Sequence, residues 1–383
     1  MLATILALDL GYYLRIAAQS WLIFELTGQQ LWVGLANAVR VVPIFAFSLF
    51  GGVISDRVDR RRVLASVRAG LGVLVLGAAL LVLAGDIRPW HLVALNVGTG
   101  AVVSFGSPAF YALMFDLAGK ARLWAANSMA AVVSNAGAIG GPIIAGEVLA
   151  STGAGAVYLV AAGLYFSGAL GVLFITTPNA PAPAKSDVVQ ELAAGLRYVR
   201  ATPHVAWALV VSVAAFAHSA VHPLLPVYAR DVLGRGAAGY GLLTGSFGAG
   251  LFVGALFLSL LPDVKRKGLV VLVATVAWDA AMAAFGLSHN FAVSLVLVFV
   301  IGSAGAYLGN AVVTMLQQMS SDEMRGRVMS IFSITAEAGT LGWLAGGALA
   351  QATSNEVALV TMAAAGVAIT VLAFAASPAL RRA

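Results

Sequence analysis

Only 16 of the 383 residues are acidic, and three of the carboxylates that stand inside long apolar runs have the right setting for proton chemistry. Glu337 and Asp279 lie near the middle of such runs, Asp279 beside Trp278, while Asp9 lies nearer the end of one. Charge at membrane depth is costly and marks function by default. Burial also disfavours the ionised form of a carboxylate, so a group so placed can take up and release a proton near neutral pH. Glu337 and Asp279 are the first candidates for such a proton site and Asp9 the third. Arg15 and Arg40 occupy the same kind of run, which leaves open a purely structural alternative in which a carboxylate pairs with one of them and locks two helices together. His218 and His222 are four residues apart, a spacing that suits two metal ligands on one helical face. No H-E-x-x-H pattern and no third ligand accompany them. They therefore read as cavity-lining groups or polar contacts between helices, and neither a metal nor a cofactor is expected. Asn96, Asn135 and Asn310 read first as interhelical hydrogen bonds and second as substrate contacts. Tyr12, Tyr13, Trp21 and Phe24 either line a cavity for an aromatic or amphipathic molecule or face lipid.

The elements that must position these groups follow from composition. The chain is 61% hydrophobic and 10% charged, with a mean hydropathy of +0.94. Soluble domains carry about 25% charged residues, so this chain is expected to be a polytopic, all-α membrane protein. Twelve apolar segments are each long enough to cross a bilayer of about 30 Å. They fall near 2–26, 31–54, 63–84, 90–114, 125–150, 154–176, 205–229, 238–262, 268–287, 290–316, 328–351 and 355–377. With both termini inside, sixteen of the 22 basic residues lie on the inner side and Arg88, Arg230 and Arg235 on the outer. Retention of basic loops in the cytoplasm sets that orientation. The same rule accounts for the pI near 9.8 without nucleic acid. Cysteine is absent, which excludes disulfides and thiol chemistry. The N-terminal run lacks a basic leader and continues as a full span, so no cleavable signal is expected.

A Pro/Ala stretch from Pro178 to Lys185 divides the chain. The expected organisation is a six-helix half at 1–177, a cytoplasmic linker at 178–204 and a second six-helix half at 205–383. Within the linker, Val188, Leu192, Leu196 and Val199 share one helical face, which predicts an amphipathic helix on the membrane surface. The halves repeat. Gly141 and Gly146 in the fifth segment align with Gly342 and Gly347 in the eleventh. The run Gly137-Ala138-Ile139-Gly140-Gly141-Pro142-Ile143-Ile144-Ala145-Gly146 carries small residues that allow close helix packing. Between the second and third segments, Gly51-Gly52-Val53-Ile54-Ser55-Asp56-Arg57-Val58-Asp59-Arg60-Arg61-Arg62 packs six charges into its last seven residues.

That last stretch resembles the G-x-x-x-D-R-x-x-R-R signature of the major facilitator superfamily through Gly52, Asp56, Arg57, Arg60 and Arg61, with Asp59 where many members have Gly. The glycine-rich fifth segment resembles the superfamily's antiporter signature through Gly137, Gly141, Pro142 and Gly146, with Ala145 in place of a Gly. Two further stretches, Ala18-Gln19-Ser20-Trp21-Leu22 with Glu25-Leu26-Thr27-Gly28, and Glu323-Met324-Arg325-Gly326-Arg327-Val328-Met329-Ser330, are similar to the transmembrane secretion effectors, the bacterial subfamily that contains the enterobactin exporter. The fourth segment departs from many drug/proton antiporters in lacking their arginine motif. The resemblance implies two rocking six-helix halves and export of a small hydrophobic, amphipathic or siderophore-like molecule from the bacterial cytoplasmic membrane. Protons and membrane lipids would be its other partners, and the chain would act as a monomer rather than as an enzyme. It also implies that Asp116 pairs with Arg60 while Asp56 faces the start of segment 11, a cluster that holds one conformation shut. A lipid or lysolipid flippase, a nutrient importer and an intramembrane enzyme are the alternatives.

Overall fold

In lipid a spanning backbone must satisfy its own hydrogen bonds, and a chain this apolar meets that demand with helices. The structure is a computed structural model that describes residues 1–47, 59–175, 188–260 and 267–377. Gly52, Asp56 and Arg57 lie outside the described residues, as does the side chain of Glu337. Among the described residues every regular element is helical. The helices are α1 (Leu2–Thr27), α2 (Gln30–Ala38), α3 (Arg60–Leu83), α4 (Pro89–Val103), α5 (Gly106–Thr152), α6 (Ala154–Leu173) and α7 (Val188–Ala201). They continue with α8 (Pro203–His218), α9 (Gly236–Leu260), α10 (Lys267–Gly286), α11 (Phe291–Met319), α12 (Asp322–Ala338), α13 (Leu341–Ala352) and α14 (Asn355–Ala376). Nine helical stretches among the described residues are long and apolar enough to cross a membrane. The other three expected segments are helical but polar or interrupted. The first carries Asp9, Arg15, Gln19 and Glu25, the fourth breaks at Ser104–Phe105, and the eleventh divides at Gly339–Thr340.

The breaks have identifiable causes. Pro108 has no N–H to bond the carbonyl four residues back, at Ser104, and the helix stops there and restarts at Gly106. Gly119, at φ 63° and ψ 167°, kinks α5 between its fourth-segment and fifth-segment parts. Pro223 and Pro226 likewise strip two donors from the seventh segment, which tightens to a 3₁₀ turn over Ser219–Leu224 beyond α8. Asp59 caps α3 by accepting from the Arg61 amide at 2.9 Å, and the Arg61 guanidinium holds its carboxyl below the usual range.

By its contacts the chain forms two compact units. The first comprises Met1–Gly28, Val39–Lys185 and Gly234–Gly245, and the second Gln29–Ala38, Ser186–Leu233 and Ser246–Ala383. In the first, α1 packs on α5 and α6, and α3 on α6. In the second, α10 packs on α11 and α14, α8 on α14, and α13 on α2. The glycines aligned by the internal repeat do equivalent jobs. A Cβ at Gly141 would stand 2.6 Å from Tyr13 Cβ, and one at Gly146 would stand 2.8 Å from Gly241 Cα. In the second unit, a Cβ at Gly342 would meet the Phe216 carbonyl and one at Gly347 the Gln30 carbonyl, at 2.5 Å. Fifth and eleventh segments thus each bring two neighbours to backbone contact through glycine. The helix expected in the linker is α7, where the Tyr198 hydroxyl accepts from the Ser321 amide at 3.2 Å.

Candidate functional site

In the second unit α10 carries Asp279 inward, and α8 delivers His218 to it. His218 Nε2 lies 3.3 Å from Asp279 Oδ1 and 3.4 Å from Oδ2. Each residue is only 2% exposed. Packing of α14 on both α8 and α10 closes the third side, and only glycine fits there. A Cβ at Gly366 would stand 2.7 Å and 2.9 Å from the two carboxylate oxygens and 3.0 Å from His218 Nε2. Trp278 covers the imidazole, with ring centroids 4.9 Å apart. A buried carboxylate bridged to an imidazole can exist with one proton, two or none between them, which is the chemistry a proton carrier needs.

His222 goes elsewhere. The 3₁₀ turn swings it away from Asp279, and it stacks on Trp343 at 15° and meets Phe247 edge-on. The two histidines therefore do not converge on a common ligand, and no cluster of three metal-ligating residues occurs among the described residues.

In the first unit Asp9 on α1 accepts a hydrogen bond from the Ser134 hydroxyl, and Gly137 lets α5 approach it, a Cβ there standing 3.1 Å from Asp9 Cβ. Its basic neighbour is neither Arg15 nor Arg40 but Arg68 on α3, whose charge acts on it. Both line a cavity of about 240 Å³. Arg68 is 1% exposed, and its Nη1 donates to the Gly168 carbonyl at 2.9 Å. The first unit thus repeats the plan of the second: an acid and a base on its first and third segments, beside a glycine of its sixth. The signs are exchanged, since the first segment supplies Asp9 in one and His218 in the other. Arg68 is not among the residues singled out from the sequence. Its charge inside an apolar run was the available signal. Gly366 and Gly168 carried none.

Arg15, also buried, donates to Gln19 Oε1 at 3.0 Å and to Asn96 Oδ1 at 3.1 Å, so Asn96 does bridge helices. Arg40 donates to the Tyr12 hydroxyl at 2.9 Å, and both guanidiniums lie 5.8 Å from the Tyr12 ring centroid. Asn310 departs from expectation: it bonds the Ala306 carbonyl within its own helix at 2.8 Å because its amide reaches back one turn. Asn135 is half-buried. Trp21 and Phe24 are buried in helix packing, with Trp21 stacked on Tyr240. At the start of α3, Arg60 Nη1 and Asp116 Oδ2 lie 2.5 Å apart, partly shielded from solvent, while Arg61 binds Asp59 and the Ile175 carbonyl.

The profile of the family described as transmembrane secretion effector matches residues 1–381. The enterobactin exporter EntS of Shigella boydii is 27% identical over 301 residues, covering 79% of this chain and 72% of that protein. The EntS of Escherichia coli O1:K1 matches to the same extent. Among solved structures, the nucleoside transporter NupG superposes with a TM-score of 0.75 at 13% identity, covering 97% of this chain and 96% of that one. A bacterial homologue of the human lysosomal transporter Spinster, inward-facing and unoccupied, superposes at 0.73 and 15% identity, covering 97% and 95%. Matched along its whole length, with the fold of known transporters, the chain is a multi-pass membrane transporter and belongs to the transmembrane secretion effector family of the major facilitator superfamily.

Proposed function

We propose that this chain is a proton-coupled exporter of a small hydrophobic, amphipathic or siderophore-like molecule, working by alternating access in a bacterial cytoplasmic membrane with both termini inside. The observation that carries the proton-coupling part is the buried His218–Asp279 pair. Export is supported by the relatives, which are named exporters. In this reading the six-segment halves at 1–177 and 205–383 rock about the linker at 178–204. A protonated imidazole beside an ionised carboxylate is a neutral pair. Removing that proton leaves a lone buried anion, which costs several kcal/mol in a low-dielectric setting. The proton count on the pair therefore biases which conformation is favoured, and a gradient that loads it on one side and unloads it on the other drives the cycle. Asp9, tied to Ser134 and lining a cavity with Arg68, serves as a fixed charge within the first unit, and Glu337 is the second carboxylate that could carry the proton. Arg60 and Asp116, with Asp56 and Arg57 of the preceding loop, form the latch of one state.

The test separates exchange from driven transport in proteoliposomes, using a panel of siderophore-like and lipophilic compounds. The parent should accumulate a compound against its gradient when a pH gradient is imposed. Asp279→Asn should lose that accumulation while still exchanging labelled for unlabelled compound at equilibrium. Retention of gradient-driven accumulation in Asp279→Asn sinks the assignment of the proton to this pair.

A further inference from the structure

A cavity of about 260 Å³ opens beside His218 in the second unit, and its position is repeated in the first. Gly305, Leu308 and Val312 of α11 line it. Val103, Gly106 and Phe110, of the corresponding fourth segment, line the cavity beside Asp9 and Arg68. A packing flaw would have no reason to recur beside the corresponding segments of two repeats with different side chains. The second cavity is walled by apolar groups apart from Ser212, Ser219, Trp278 and His218. Two buried polar atoms on its lining residues have no hydrogen-bond partner among the described residues: the indole Nε1 of Trp278 and Nδ1 of His218. An indole N–H can only donate, whereas an imidazole whose Nε2–H points at a carboxylate offers Nδ1 as an acceptor. Leaving either unsatisfied forfeits the hydrogen bond it made to water in the unfolded chain. The two rings are neighbours, with centroids 4.9 Å apart.

One small group satisfies both atoms at once, because a hydroxyl accepts from the indole and donates to the imidazole. The geometry points to this cavity as a binding site for an uncharged, apolar, ring-sized molecule that bears a hydroxyl group. The inference rests on the transporter reading and names the substrate class of its proton site. It also supplies the coupling. A second proton on His218 turns Nδ1 from acceptor to donor and breaks the match with the hydroxyl, so ligand and proton oppose each other, as exchange transport requires. Among the described residues, Asp279 of α10 is the charged group in contact with His218; α9 and α14 present Leu251 and Gly366 there, and α12 presents Phe332.

The test is calorimetric binding to the full chain in lipid nanodiscs, with empty nanodiscs subtracted. The probe is 2-naphthol, compared with 2-methoxynaphthalene, in which a methyl group replaces the hydroxyl hydrogen. The parent should prefer 2-naphthol at least ten-fold. His218→Phe, which removes the Nδ1 acceptor, should erase that preference, whereas Trp278→Phe, which removes an N–H that either oxygen can accept from, should weaken both compounds alike. Gly309→Leu should abolish binding of both compounds, because Gly309 lines the cavity and its Cβ position faces open space. Gly77→Leu, equally unobstructed but in α3, should bind as the parent does. A parent that binds neither compound, or both alike, overturns the inference, as does Gly309→Leu binding like the parent. Binding needs no proton gradient. A parent with the naphthol preference but no gradient-driven transport would therefore uphold the site and refute the proposed function instead.

Discussion

Gly366→Ala is the most incisive perturbation of the proton site, because it changes no charge and the three atoms nearest the added methyl all belong to the pair. The added methyl would stand 2.7 Å from Asp279 Oδ2 and 3.0 Å from His218 Nε2, where ordinary contact begins at 3.4 Å. The carboxylate must retreat by about 0.7 Å and the imidazole by about 0.4 Å. A separation already at 3.3 Å then passes beyond hydrogen-bond range, since contacts at about 3.6 Å no longer qualify. Hydrogen bonds to charged groups contribute about 1.5–3 kcal/mol, equivalent to roughly ten- to a hundred-fold. Gradient-driven transport in proteoliposomes should fall by about that factor, with exchange at equilibrium less affected. Gly163→Ala in α6 is the control, since nothing lies within 4 Å of its Cβ position. If Gly366→Ala transports as Gly163→Ala does, with the same dependence on pH, the pair is not the coupling element.

Other perturbations report on the surrounding frame. Asn96→Leu removes an acceptor of buried Arg15 and should destabilise the first unit by about 1–3 kcal/mol, seen as a lowered thermal midpoint in detergent. The partly exposed Arg60–Asp116 pair should contribute only about 1 kcal/mol to stability. Either Arg60→Asp or Asp116→Arg should nonetheless impair transport, and the double exchange should restore it; an inactive double variant with intact folding would refute the latch. At Gly241, a Cβ would stand 2.5 Å from the Pro142 carbonyl, so Gly241→Leu should cost about 1–3 kcal/mol by overpacking and lower the yield of folded protein.

Much of this architecture is legible in the sequence for one physical reason. Lipid forces each apolar run to be a helix, so runs such as 268–287 declare themselves, and α10 spans Lys267–Gly286. Asp279 was visible for the same reason, as a charge where none is cheap. Its partner was not. His218 is 61 residues away, and only the packing of α8 and α10 against α14 decides that they meet. The spacing of His218 and His222 invited a shared role, but Pro223 and Pro226 convert the turn between them and send His222 to Trp343. The repeat offset read from Gly141 and Gly342 did foresee equivalent packing, because glycine at a helix crossing leaves a recognisable stripe. Gly366 belongs to no stripe; its meaning exists only once Asp279 is placed against it.

The most direct test of the central claim is proton release on substrate binding, read with a pH indicator on purified protein in weakly buffered solution. For a compound that the parent exchanges in proteoliposomes, the account predicts release of a proton by the parent below the pH at which the pair empties. Asp279→Asn should release none while still binding. Equal release by parent and Asp279→Asn would place the proton elsewhere and contradict the account.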